Sequence, residues 1–202
     1  RLVTIFDSNS TITRKNPDLV IESFLEAFPE DIFPKLELLV KTMNMDETSR
    51  NAQILKNLAR RDGRISIVNE CFSFSALSKL ITDSVGLISL HRSEGFGRLL
   101  AEAICAGIPV VSSNYSGSKD FASYDPSLLV DGRMVRVGET AYPWSEGSMW
   151  FEPDKISAVK AMKYLASNYE KIKLETTLQG RKVSQFYSTA EFANRIKNVL
   201  CI

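Results

Sequence analysis

Short apolar runs alternate with stretches of helical periodicity along most of this chain. The alternation is typical of repeated strand–helix–strand units and predicts an α/β fold, a Rossmann-like parallel sheet with helices on both faces. We expect strands at 2–6, 36–42, 65–68, 85–90, 109–112, 128–130 and 134–137. We expect helices at 17–28, 47–61, 76–82 and 98–106, then a helical tail at 155–166, 170–186 and 190–199.

Several boundaries carry their own signals. Asn16 before Pro17 is typical of a helix cap and a first helical residue, and Gly107 before Pro109 indicates a helix end. These signals fix where the predicted elements begin and end.

The region after the last predicted strand changes character. Residues 142–150 have no regular pattern, and Asp154 is placed to cap the first helix of the tail. The tryptophans Trp144 and Trp150 are expected to be packing residues. We therefore divide the chain into a Rossmann-like domain at 1–154 and a helical tail at 155–202.

Composition excludes several classes of protein. Lys and Arg number 25 against 24 Asp and Glu, so the net charge of +1 gives no global field to attract nucleic acid. The single histidine excludes His-rich zinc sites. The cysteines Cys71, Cys105 and Cys201 have no Cys-x-x-Cys spacing, which favours isolated thiols in a reducing, cytoplasmic compartment. The chain begins on Arg1 without Met, so we expect a piece of a longer polypeptide.

The most informative segment runs from Leu90 to Ala103, where a strand is followed by a loop and a helix. Gly95 and Gly97 allow the loop to aim backbone N–H groups at an anion, and the helix N-terminus adds about half a positive charge. Leu100 stands where a dinucleotide fingerprint needs its third glycine, so a nicotinamide cofactor is disfavoured. The segment therefore predicts a phosphate site of another kind.

Two carboxylates flank this site, Glu94 on the loop and Glu102 in the helix. Because a carboxylate repels phosphate, both are better suited to accept hydrogen bonds from neutral hydroxyls of a sugar and a ribose. From spacing alone, a helix-start glutamate followed by a solvent-facing one is an equally good interpretation.

Ser-Glu-Gly-Phe-Gly, Glu102 and the following Ala-Gly-Ile-Pro-Val-Val resemble the signature of the retaining glycosyltransferases of family 4. Arg14-Lys15-Asn16-Pro17 resembles the family's basic stretch before its first helix. The resemblance implies a GT-B fold, of which this chain would be the C-terminal, donor-binding domain.

The resemblance also implies roles for individual residues. Glu94 would contact the donor sugar, Glu102 the ribose, and Lys15 would neutralise the diphosphate. Lys15 and Glu94 would be the catalytic residues. The backbone N–H groups of Gly95, Phe96, Gly97, Arg98 and Leu99 would hold the diphosphate.

Other positions leave alternatives open. The family has a Gly-Arg pair after its first strand, where this chain has Phe6-Asp7, so Arg14 or Arg98 is the candidate for the second diphosphate contact. The side chain of Arg98 is expected at the surface. His91 is expected to face the cleft, either as a structural histidine or as a donor contact.

Base recognition is expected along the backbone from Asn69 through Cys71 to Phe72. Tyr115-Ser116-Gly117 resembles a family loop near the donor, and a simple turn is an equal alternative.

The resemblance implies transfer of a sugar from a nucleoside-diphosphate sugar to an acceptor hydroxyl with retention, without metal or other cofactor. Arg14-Lys15-Asn16-Pro17 and Leu90-His91-Arg92-Ser93 resemble bacterial enzymes of surface polysaccharide synthesis, which implies a cytoplasmic location at the inner face of the membrane. The missing N-terminal domain would bind the acceptor and contact the membrane. The alternatives are a non-catalytic nucleotide-binding or interaction domain and a GT-B sugar-nucleotide epimerase.

Overall fold

The computed structural model describes residues 1–139 and 141–200, and Cys201 lies outside these residues. A six-stranded sheet has the order β3-β2-β1-β4-β5-β6, with every neighbouring pair parallel. Its strands are β1 (Leu2–Asp7), β2 (Leu38–Met43), β3 (Ile65–Asn69), β4 (Gly86–Ser89), β5 (Val110–Ser113) and β6 (Leu129–Val130). The predicted Rossmann-like α/β fold is confirmed.

A separate antiparallel hairpin follows the sheet, formed by β7 (Gly132–Arg136) and β8 (Met149–Pro153). The helices within the sheet region are α1 (Ile12–Lys15), α2 (Pro17–Ala27), α3 (Arg50–Ala59), α4 (Phe74–Thr82), α5 (Arg98–Cys105) and α6 (Lys119–Ala122). The tail contains α7 (Lys155–Ser167), α8 (Tyr169–Phe186) and α9 (Thr189–Leu200). Among the described residues, no helix combines the length and apolarity needed to cross a bilayer.

The order of the strands reverses next to β1. The chain builds β1, β2 and β3 outward in one direction and then returns to place β4 on the other side of β1. In open parallel sheets, the crevice at such a reversal point, beyond the carboxyl ends of the strands, is where ligands bind. The connections that leave β1 and β4 are therefore the ones that position a site.

Local sequence signals explain most helix ends. The side chains of Ser49, Ser73 and Asp154 accept hydrogen bonds from the first turns of α3, α4 and α7. Gly107 follows α5 at φ 71°, a conformation that glycine adopts without steric cost. Asn16 differs from expectation: it stands at the cap position of α2, but its side chain makes no capping bond.

The core lies on both faces of the sheet, because consecutive strand residues point to opposite sides. One layer packs Leu2, Phe6 and Val40 against the helices α2, α3 and α7. The other layer packs Val3, Leu39 and Leu87 against α4, α5, α6 and α8. The side chains of both layers are fully or nearly fully buried. The first two helices of the tail therefore share the core of the sheet.

Two expectations about the region after β6 are wrong. Residues 142–150 are not irregular throughout, because Met149 and Trp150 begin β8, which pairs with β7. Trp144 is not a packing residue: its side chain is fully exposed at the hairpin tip, whereas Trp150 is buried as expected. The short strands of this hairpin are only partly buried, so their sequence pattern does not predict the pairing.

Candidate functional site

The connections that follow β1 and β4 are bonded to one another at the carboxyl edge of the sheet. The N–H of Arg92 donates to the carbonyl of Arg14 at 2.8 Å. The side-chain amide of Asn16 donates to the carbonyl of Leu90 at 3.1 Å, a bond between buried groups. These bonds explain why Asn16 does not cap α2, and they hold the short helix α1 against the β4–α5 loop.

An ion pair joins the two predicted catalytic residues. Lys15 Nζ lies 2.5 Å from Glu94 Oε2, and Arg14 Nη1 lies 3.8 Å from the same oxygen. All three side chains are less than a fifth exposed, so water screens their interaction only weakly. Burial raises the pKa of Glu94, but the hydrogen bond and charge of Lys15, with the charge of Arg14, lower it below its ordinary value. Glu94 is therefore a carboxylate at neutral pH.

Two N–H donors of the Arg14 side chain bond to backbone carbonyls of neighbouring loops. Its Nε donates to the carbonyl of Ser10 at 3.0 Å and its Nη1 to the carbonyl of Ser93 at 2.5 Å. Asp7, which replaces the expected cation, accepts from the N–H of Asn9 and the side chain of Asn44. Arg14 rather than Arg98 is thus the arginine that lies beside Glu94.

The N-terminus of α5 provides a row of available donors. Gly97 precedes the helix at φ 83°, a left-handed conformation that favours glycine. The N–H groups of 95–99 donate to no acceptor among the described residues, whereas those of Leu100 and Ala101 return to Gly97. The helix dipole strengthens such donors toward an anion.

The loop at residues 115–117 packs against the Gly95–Gly97 loop. Gly117 lies so close to Gly95 that a Cβ on Gly117 would clash with the carbonyl of Gly95. The ring of Tyr115, in the same loop, stacks on Phe151 of β8 with centroids 5.1 Å apart. The segment 115–117 is therefore a packed support of the Gly95–Gly97 loop and more than a simple turn.

In the helical part of the Leu90–Ala103 segment, the charged side chains are exposed to solvent. Glu102 and Arg98 form a one-turn pair at 3.7 Å, with side chains 47% and 89% exposed. Arg98 points to the surface, as expected. Phe96 is partly exposed and packs on Phe121 and Tyr187, while Leu99 is half-buried beside the second core layer. The structure does not bring the side chains of Glu102 and Arg98 into contact with Lys15 or Glu94.

His91 is completely buried instead of facing an open cleft. Its Nδ1 lies 3.1 Å from Ser89 Oγ, and its Nε2 has no hydrogen-bond partner among the described residues. Burial lowers the pKa of His91 to about 4, and the positive charges of Lys15 and Arg14 act in the same direction. The imidazole is therefore neutral at pH 7 and is close enough to Glu94, Lys15 and Arg14 to interact with their charges.

The expected base-binding segment lies further along the same edge. The strand order separates β3 from β4 by three strand spacings, about 14 Å at ~4.8 Å each. The side chain of Asn69 bonds both the N–H and the carbonyl of Met45, so it holds the β2–α3 loop. Cys71 is exposed, and Phe72 packs over Lys41.

One functional element, Arg92, was missed by the sequence analysis. Arg92 makes a two-point ion pair with Glu152 of β8 at 2.6 and 2.7 Å, and it donates to the carbonyl of Thr13 at 2.5 Å. The N–H of Phe151 in turn donates to the carbonyl of Arg92. Arg92 thus links α1, the β4–α5 loop and the hairpin. No local sequence pattern indicates the Arg92–Glu152 pair, because its partners lie 60 positions apart.

Comparisons with known proteins give matches at the level of structure. No protein-family model and no curated protein sequence matches the chain. It is similar to WaaG, a glycosyltransferase involved in lipopolysaccharide biosynthesis, with a TM-score of 0.65 and 15% identity over 98% of this chain and 46% of that one.

Two further solved structures were determined with ligands. Anabaena HepE, in complex with UDP and glucose, has a TM-score of 0.69 and 13% identity, over 99% of this chain and 48% of that one. The pneumococcal O-GlcNAc transferase GtfA, in complex with UDP and GlcNAc, has a TM-score of 0.63 and 18% identity, over 98% of this chain and 35% of that one. The chain spans less than half of each of these three structures.

Because the sequence identities are low, these matches show the fold alone. The parallel sheet with helices on both faces and the helices at 155–200 agree with the sequence-based expectation. The chain has the fold of the C-terminal domain of GT-B glycosyltransferases.

Proposed function

We propose that this chain is the donor-binding half of a retaining glycosyltransferase. The observation that carries the proposal is the partly buried Lys15–Glu94 ion pair beside N–H groups at the start of α5 that have no acceptor among the described residues. A cation, an acceptor for hydroxyl groups and a row of donors stand together at the reversal point of the sheet. This set of groups suits a diphosphate flanked by a sugar.

Each group has one task in the proposed complex. The N–H groups of Phe96 to Leu99 bind the diphosphate, and Lys15 bridges that diphosphate and Glu94. Glu94 keeps Oε1 available for a sugar hydroxyl, because its contacts with Lys15 and Arg14 are made through Oε2. Arg14 positions the loop, and Glu102 reaches the ribose. Asn69, Cys71 and Phe72 border the base, and His91 supports Glu94 from behind.

The chemistry follows from the direction in which charge develops. The bond between the anomeric carbon and the diphosphate oxygen breaks, and the acceptor oxygen bonds to the same face of that carbon. The proton of the acceptor hydroxyl passes to the departing diphosphate. Negative charge therefore grows on the leaving group, where Lys15 and the helix N-terminus stabilise it more in the transition state than in the ground state.

The proposal extends to the surroundings of the domain. A nucleoside-diphosphate sugar is the substrate, no further cofactor is needed, and the division at residue 154 separates the donor domain from its tail. A second, acceptor-binding domain completes the enzyme, so the 202-residue chain alone binds nucleotide without transferring sugar. The resemblance to enzymes of bacterial surface polysaccharide synthesis supports a cytoplasmic site of action at the inner face of the membrane.

A non-catalytic nucleotide-binding domain is the second candidate. The observation in its favour is Asp7, whose carboxylate is tied into the β1–α1 loop where the family has a cation. Such a domain would bind nucleotide as the enzyme does, and sugar transfer by the longer polypeptide separates the two functions.

Titration calorimetry of the 202-residue chain with UDP, GDP and ADP tests the proposal. We expect weak binding of at least one diphosphate. Lys15→Ala should weaken that binding at least about tenfold and leave binding of the free nucleoside unchanged, because Lys15 faces the diphosphate. Lys163→Ala, which removes an exposed lysine from α7, is the matched control.

Two results contradict the proposal. Folded protein that binds none of the three diphosphates would exclude a donor site. Equal binding by the Lys15→Ala and Lys163→Ala proteins would show that the diphosphate does not lie at the Lys15–Glu94 pair.

A further inference from the structure

Lys41 is a buried cation near the carboxyl end of β2, the second strand from one edge of the sheet, and it has no part in the proposed function. It lies in β2 with 3% of its surface exposed. Strand alternation puts it on the same face as Leu39, where an apolar residue of the second core layer is expected. A buried lysine carries a desolvation cost unless its ammonium group is bonded. Its contacts therefore indicate what it is for.

Two of the three contacts of the ammonium group are with the β3–α4 connection, and the third is with its own strand β2. Lys41 Nζ donates to the carbonyl of Glu70 at 2.5 Å and to the carbonyl of Thr42 at 2.8 Å. It also lies 4.4 Å from the centroid of the Phe72 ring, in cation–π geometry. Lys41 thus holds the segment in which base recognition is proposed.

The charge of Lys41 is not neutralised by a bonded carboxylate. Among the described residues, its ammonium group forms no ion pair, and its acceptors are neutral carbonyls. Burial lowers the pKa of Lys41, while the charges of Cys71 and Glu70 oppose that effect. The two carbonyls and the ring favour the charged form.

The backbone of the same segment adds donors. The N–H of Glu70 is used by the carbonyl of Thr42, but those of Cys71, Phe72 and Ser73 donate to no acceptor in the described part of the chain. The charge of Lys41, bonded to the carbonyl of Glu70 and close to the Phe72 ring, and the available N–H groups of the same segment together create a positive potential. That potential favours base edges that carry acceptors.

Nucleobases differ in the hydrogen-bond acceptors that their edges present. Guanine presents O6 and N7 and a pyrimidine with a 4-keto group presents O4, all of them acceptors, whereas adenine presents an N6 amine beside N7. We propose that Lys41 determines base specificity and makes the site select a keto base, uracil or guanine, over adenine. The inference rests on the proposed function, since it needs the base at 69–72.

The test measures affinities of the wild-type chain, Lys41→Met and Lys41→Arg for UDP, GDP and ADP by calorimetry. Wild type should bind UDP or GDP about tenfold more tightly than ADP, the size expected for a partial charge facing a partly buried cation. Lys41→Met keeps the side-chain stem but should bring this ratio close to one. Lys41→Arg, which keeps the charge, should retain the preference. Lys79→Met removes an exposed lysine from α4 and is the matched control.

A purely structural role for Lys41 predicts a different result, because a distorted loop would weaken all three nucleotides together and leave the ratio unchanged. That result, or a wild-type preference for ADP, would overturn the inference while leaving the proposed function intact. Absence of binding to all three nucleotides would instead contradict the proposed function. If Lys41→Met does not fold, Lys41→Gln takes its place, because it removes the charge and keeps a donor for the carbonyls. A ratio close to one in that variant supports the inference, and an unchanged ratio overturns it.

Discussion

The two glutamates of the Glu94–Glu102 segment belong to regions with opposite physical character. Glu94 lies in a loop held on three sides, by α1, by the hairpin through Arg92 and by the loop of Gly117. Glu102 lies on an open helix face, and its paired cation Arg98 is almost fully exposed. The loop half is therefore a preformed site, whereas the helix half has surroundings that a ligand or a second domain can still change.

The difference bears on stability as well as on function. Partly buried, multiply bonded charges lose their partners at high cost, whereas exposed pairs contribute little. If this contrast is correct, substitutions in the loop half change the free energy of unfolding and substitutions in the helix half change only binding. The following predictions test that contrast in order of expected size.

Arg92→Met should give the largest effect, a loss of about 3 kcal/mol in the free energy of unfolding. The substitution leaves Glu152 without its two-point partner and removes the bond to the carbonyl of Thr13. Urea denaturation at neutral pH measures the change. Arg98→Met, six residues away and at the surface, is the matched control and should change stability by less than about 0.5 kcal/mol. Similar losses in both variants would abolish the distinction between the two halves.

How much of this was predictable depends on the range of the interactions. The strands and long helices have periodic patterns that predict the class of fold, whereas the order of the strands along the sheet is seen only in the structure. Lys15 and Glu94 were assigned through the resemblance, but their direct pairing joins residues 79 positions apart. The Arg92–Glu152 pair joins residues 60 positions apart, and no local pattern encodes it.

Lys41 and His91 were beyond sequence reasoning for another reason. A lysine within a strand is normally assigned to a solvent face, and a histidine at the end of a strand is normally assigned to a cleft. Both are buried here, and Lys41 contacts the loop that contains Glu70 and Phe72. Burial of a polar residue depends on tertiary contacts that composition and periodicity do not report.

The second prediction concerns pH and uses the only histidine of the chain. The folded pKa of His91, about 4, lies below the ordinary value of 6.5, so the unfolded chain binds the proton more readily. Stability from neutral His91 is fully present above pH 6.5 and is lost as the pH falls toward 4. Between pH 7 and pH 5, wild type should lose about 2 kcal/mol more than His91→Gln.

Denaturant unfolding of both proteins at the two pH values measures this difference. Because the variant has no imidazole, its remaining slope reports the carboxylates alone. Parallel losses in the two proteins would mean that His91 is hydrated in solution and that the loop half is less closed than its contacts indicate.

The smallest effect on stability is expected for Glu102→Ala, and it sharpens the comparison most directly. Its pair with Arg98 is long and exposed, and alanine is the better helix former, so the free energy of unfolding should stay within about 0.5 kcal/mol of wild type. If Glu102 accepts from the ribose, affinity for the preferred nucleoside diphosphate should nevertheless fall severalfold. Affinity for the 2′,3′-dideoxy analogue should not change, because that analogue has no hydroxyl to lose. If the variant binds both compounds as wild type does, Glu102 does not contact the nucleotide. The candidate site would then be limited to the loop that contains Glu94.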